Sequence, residues 1–261
     1  WATCSPSASH TVMGAEATTR PGVTAPRADP FWARLERTGG IAGLVFVVMV
    51  LVALVLMVVA PVPPAEGGPL LAYVAGHKGV YLTELICFVG LSVPAMVVFV
   101  AVARALMGSD RSIALIGGIL GVAAETVALA VGSSPQSLHG GLVILSNSYA
   151  AAESDAERAS LVSAADALIA ATNGAPWAGV LTAAAILVLS ALMRQGDFGR
   201  TLAVVGMITG ALGIVSEAFR TVIGPAYLLY GLLLPLWFAL VGRRLFTWGR
   251  KGTSSFPDAT G

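Results

Sequence analysis

Residues 41–60 read IAGLVFVVMVLVALVLMVVA, twenty positions without a charged side chain, closed by Pro61, Pro63 and Pro64. An α-helix of that length is about 30 Å long at 1.5 Å per residue, the thickness of a bilayer's hydrocarbon core. A helix apolar on every side is either the core of a large protein or a membrane span, and composition separates the two. Hydrophobic residues make up 56% of the 261-residue chain and charged residues 11%, with a mean hydropathy of +0.83. A soluble domain carries about 25% charged residues, so the stretch predicts a span.

Five further apolar stretches follow, at about 80–106, 112–131, 177–193, 201–219 and 223–240. Together they predict an all-α polytopic bundle of six transmembrane helices within residues 37–246, with tails at 1–36 and 247–261. Pro225 and Pro235 are expected to kink the sixth span. Residues 1–29, rich in Thr, Ala and Pro, read as disordered. Phe31 and Trp32 beside Arg34 and Arg37 suit a short interfacial helix. The chain opens on Trp1. Met13 reads as the true start, and Met13-Gly14 with Thr18 formally fits a myristoylation pattern that requires a eukaryotic host.

A net charge of +1 excludes a nucleic-acid binder, since no basic surface exists to neutralise phosphates. Two cysteines, Cys4 in the tail and Cys87 in the second span, provide neither a disulfide framework nor a zinc motif. No cofactor is implied. The partner expected first is the lipid bilayer, with a small solute or proton and a second copy of the chain as further candidates.

The long connection, residues 133–176, has two parts. Residues 138–152 are moderately apolar and too short for a confident span, so they read as a re-entrant or interfacial piece. Ser154 and Glu157 then form an S-x-x-E capping box. Leu161, Val162, Ala165, Leu168 and Ile169 line one face of the helix that follows, and Asn173-Gly174 stops it. An amphipathic helix lying on the membrane as a lid, or a mere link between spans, are the two readings.

Basic residues fix an orientation. Arg34 and Arg37, Arg104 and Arg111, Arg194 and Arg200, and Arg243, Arg244, Arg250 and Lys251 all fall on one side if there are six spans. Both termini are therefore expected in the cytoplasm.

Two spans carry one pattern: Gly117, Gly121 and Glu125 in the third, and Gly206, Gly210, Gly213 and Glu217 in the fifth. Each set lies along one helix face, where a neighbour can approach closely. A carboxylate in a membrane span costs roughly 2.5–3.5 kcal/mol on insertion scales and normally faces a partner or a cavity. The shared pattern is also what an internal duplication would leave, as in many transporters. With the orientation above, Glu84, Glu125 and Glu217 fall in the outer half of the bundle, with Arg220 one turn past Glu217, His77 in the first outer loop and His139 just after the third span. These residues predict one outward-facing polar site of Glu84, Glu125, Glu217, Arg220 and His139.

Three readings of that site compete. In the first it is an ion-pair and hydrogen-bond network fixing helix register, with Arg220 meeting Glu217 and Glu125, in a non-catalytic protein of structural or regulatory role. In the second it is the carboxylate site of a small transporter or proton-coupled permease, where burial and the Arg220 charge act on the glutamates in opposite directions. In the third it is a metal site or intramembrane enzyme using His77, His139 and a glutamate; no H-E-x-x-H spacing and no G-x-S-x-G elbow supports that chemistry. Tyr227, Tyr230 and Trp237 read as interface or packing aromatics.

The run R-T-G-G-I-A-G-L-V-F (residues 37–46) resembles the start of a bacterial membrane family known only as domain of unknown function 4386. R-Q-G-D-F-G-R-T-L-A-V-V-G-M-I-T-G (residues 194–210) resembles that family's basic loop and its Gly-spaced helix. The resemblance, covering roughly residues 37–246, implies a six-helix bundle and no particular reaction or site residues.

Overall fold

The computed structural model describes residues 30–132, 137–174 and 177–253, and these are helical with no strand. The readings of Trp1, Cys4, Met13, Thr18 and the disordered tail, and the end of the C-terminal tail, lie outside the described residues.

Helix α1 spans Pro30–Val59. The interfacial helix expected before the first span is therefore its first turns, continuous with it. Arg104, 4.0 Å above the Trp32 ring, ties this end of α1 to the end of the second span. After the prolines comes α2, Gly67–Gly76, which the pattern of residues did not suggest. Its first amide, Gly67 N, donates to Asp166 Oδ1 at 2.8 Å, a cap supplied from across the fold.

The second span is two helices, α3 (Lys78–Phe88) and α4 (Ser92–Leu106). Pro94 accounts for the break. It has no N–H for the carbonyl of Gly90 and its ring crowds that oxygen. The chain tightens instead: Ser92 N bonds Val89 O at 3.2 Å and Val93 N bonds Gly90 O at 3.1 Å. Helix α5 (Arg111–Val131) opens on Asp110, whose side chain accepts from Ile113 N.

The long connection folds as α6 (Gly140–Ala151) and α7 (Asp155–Gly174). The capping box is half formed. Glu157 N donates to Ser154 Oγ at 3.2 Å, but the Glu157 carboxylate turns to Glu153 N rather than closing on Ser154. α7 buries Ala165 and Ile169 against α2 and α6, so it is one wall of a small helical cap. That cap has its own core of Leu70, Leu71, Val74, Tyr81, Leu138 and Leu142.

Helices α8 (Trp177–Met193) and α9 (Arg200–Ala218) follow. A short α10 (Arg220–Ile223) and a 3-10 turn, Gly224–Ala226, lead into α11 (Tyr227–Thr253). Pro225 therefore belongs to the turn before the last helix and does not kink a span; only Pro235 lies inside α11. The helix runs past residue 247, where a tail was expected.

Six helical segments are long and apolar enough to cross a membrane. They close a ring in chain order: α1 against α4, α4 against α5, α5 against α8, α8 against α9, α9 against α11, and α11 back along α1. Phe46, Phe99, Trp237 and Phe238 fill the centre, with Phe46 stacked on Phe238 at 3.8 Å. The outside is apolar as well: Val48, Val55, Ile116, Ile119 and Leu232 are all more than half exposed. Continuous apolar surface on this scale marks contact with lipid or a partner rather than water.

Candidate buried polar site

Both glycine stripes converge on α8. A Cβ built on Gly117 would strike Leu189, and one on Gly210 would strike the backbone of Leu187 and Ala183. Gly121 takes the ring of Phe99 from α4, and Gly206 takes Ser190 and Trp237. The stripes are thus seats for large side chains and for the α8 backbone, and they bring α5 and α9 onto neighbouring faces of one helix.

Each glutamate then meets α8 at the end of its stripe. Glu125, 4% exposed, accepts from Thr182 Oγ1 at 2.9 Å, and buried Ser92 of α4 bears on the same carboxylate. The Glu217 carboxylate, on a residue 3% exposed, packs on Gly179, where any Cβ would collide with it. Gly179 and Thr182 are one turn apart, so α8 receives the two acids on successive turns.

The partners of the two acids differ in charge. Arg220 Nε donates to Glu217 Oε2 at 2.9 Å and Nη2 bonds the same oxygen. Tyr227 Oη donates to Oε1 at 2.8 Å. Glu217 is thus closed by one cation and one phenol. Arg220 does not bond Glu125, contrary to the network expected, and Glu125 is held by hydroxyls alone. Tyr230, buried and edge-on to Tyr227 at 5.9 Å, lies within electrostatic reach of both carboxylates. Its ring fills the space left by Gly213.

The remaining members of the expected site lie apart from this cluster. His139 is the N-cap of α6: its Nδ1 accepts from Gly141 N at 2.9 Å, and its own amide donates to Tyr81 Oη at 3.1 Å. His77 is exposed, stacked on Tyr73 at 4.6 Å. Among the described residues no group of three His, Cys, Asp or Glu side chains is placed to hold a metal ion. Glu84 of α3 keeps company with the phenols of Tyr73 and Tyr81 rather than with Glu125. Partial burial and the Glu84 charge hold the Tyr73 phenol above its usual range.

The single outward site therefore resolves into a clasp around α8 and a separate acid under the cap. Thr182, Ser92, Gly179 and Tyr227 belong to the clasp and were not singled out by spacing; the available signal was Thr182, one of two hydroxyl side chains in an otherwise apolar span, three residues from Gly179. A cavity of about 520 Å³ lies at the other end of the ring, between the α4–α5 and α8–α9 loops, lined by Glu36, Ser109, Gln195, Asp197, Phe198 and Trp248.

No family model, curated protein or solved structure matches the chain.

Proposed function

We propose that this chain is a multi-pass protein of the bacterial plasma membrane, akin to the domain of unknown function 4386 family, with a non-catalytic structural or regulatory role. Both termini face the cytoplasm in this reading. The observation that carries it is the closure of Glu217 by Arg220 and Tyr227 against Gly179. A buried carboxylate bonded to a cation and a phenol has its charge neutralised and its lone pairs used, which makes it a fastener between helices rather than a reactive group. Support for the orientation comes from the clustering of arginine-bearing segments at the cavity end of the ring, as the positive-inside rule requires.

A second reading has its own observation. Glu125 is buried among hydroxyls with no cation bonded to it, which suits a group that gains and loses a proton in a transporter or proton-coupled permease. Glu125→Gln keeps the Thr182 contact and removes the titration. Reconstituted in proteoliposomes, a variant with unchanged proton and solute flux but lower thermal stability supports the fastener; a variant of wild-type stability whose flux is abolished overturns it in favour of transport.

A further inference from the structure

Glu84 is 0% exposed. Among the described residues its two oxygens, Oε1 and Oε2, are the only fully buried side-chain polar atoms without a hydrogen-bond partner. Other buried polar groups are answered: Ser146 Oγ donates to Leu71 O, Thr172 Oγ1 to Val131 O, and Trp237 Nε1 to Ser190 Oγ. Such an orphan in a fold that satisfies its neighbours points to a missing ion or water. The two phenols within electrostatic reach of Glu84 are bonded elsewhere: Tyr73 Oη donates to Pro61 O at 2.8 Å, and Tyr81 Oη donates to Ser137 O at 3.0 Å.

We propose that Glu84 anchors a site for a small monovalent cation beneath the α2–α6–α7 cap. Charge selects the class. One carboxylate balances one positive charge, whereas calcium takes six to eight oxygens, several of them from acids, and among the described residues Glu84 belongs to no group of three His, Cys, Asp or Glu side chains able to hold a metal ion. The break after α3 adds to the field. The amides of Gly90 and Ser92, which would ordinarily bond the carbonyls of Ile86 and Phe88, are directed to Leu85 O and Val89 O. The carbonyls of Ile86 and Phe88, on or at the end of the helix that carries Glu84, are thereby left without those two amides, and freed carbonyls of this kind are what discontinuous membrane helices use to hold cations.

The test uses the full chain in micelles and dicyclohexylcarbodiimide, which modifies carboxyls shielded from water. Adducts at Glu84 and Glu125 are followed by peptide mass spectrometry in sodium, lithium, potassium or choline chloride at equal ionic strength. One of the three alkali cations should protect Glu84 saturably, about elevenfold at ten times its dissociation constant, with Glu125 unaffected. Equal labelling in all four salts, equal protection of both glutamates, or protection by calcium alone overturns the proposal. Glu84→Gln should abolish binding of the protecting ion in equilibrium dialysis while Glu125→Gln retains it; undiminished binding by Glu84→Gln also overturns it. Should Glu84→Gln fail to fold, labelling of the wild-type chain decides alone.

Discussion

Glu217 and Arg220 are one turn apart in sequence, and that spacing was enough to name them as a pair. Removing one partner of a buried pair is worse than removing both, because the survivor is left charged and unsolvated. Arg220→Ala should therefore lower stability by about 1–3 kcal/mol, the cost of an unsatisfied buried group, and Glu217→Gln in the same chain should recover part of it. Thermal unfolding of the single and double variants in detergent checks this; a double variant less stable than Arg220→Ala would contradict the clasp. Tyr227→Phe removes one donor to Glu217 and should cost about 1 kcal/mol in the same assay. Glu125 was legible as a costly acid, but its acceptance from Thr182, fifty-seven residues away, was not. Spacing along one helix says nothing of the rotation of another.

At the scale of elements, hydropathy reads residues 80–106 as one span because it weighs side chains and ignores backbone donors. The break at 89–91 comes from a single missing N–H at Pro94. Pro94→Ala should restore the bond to Gly90 O, and amide exchange at residues 89–94 should slow; exchange unchanged there would place the cause of the break elsewhere. A close backbone seam between α1 and α11 was also outside the pattern singled out from the sequence. A Cβ on Gly43 of α1 would stand 2.9 Å from Gly242 Cα of α11, and one on Gly40 would meet the backbone of Phe246. Gly43→Leu should destabilise the α1–α11 pair by about 1–3 kcal/mol, as overpacking does, with loss of monodisperse protein in size-exclusion chromatography. The glycines were visible in the resembled run at residues 37–46, but only the partner's backbone gives them a reason.

Over the whole molecule, the proposed orientation puts the cap outside and the cavity end in the cytoplasm. In a Cys4→Ser, Cys87→Ala background, Ser154→Cys in the cap should react with an impermeant maleimide from outside intact cells, and Ser109→Cys at the cavity end only after permeabilisation. The reverse pattern would invert the proposed orientation. The number of spans and their approximate bounds follow from local composition. Whether a helix can cross a membrane depends on its length and on what its side chains lose in lipid, and both belong to the segment alone. Three features required the assembled chain: the chain-order ring, the gathering of Glu125 and Glu217 on successive turns of α8, and the separation of Glu84 and His139 from those two acids. Each depends on how far every helix is rotated about its axis and which neighbour it meets, and that is set by close packing between segments far apart in sequence.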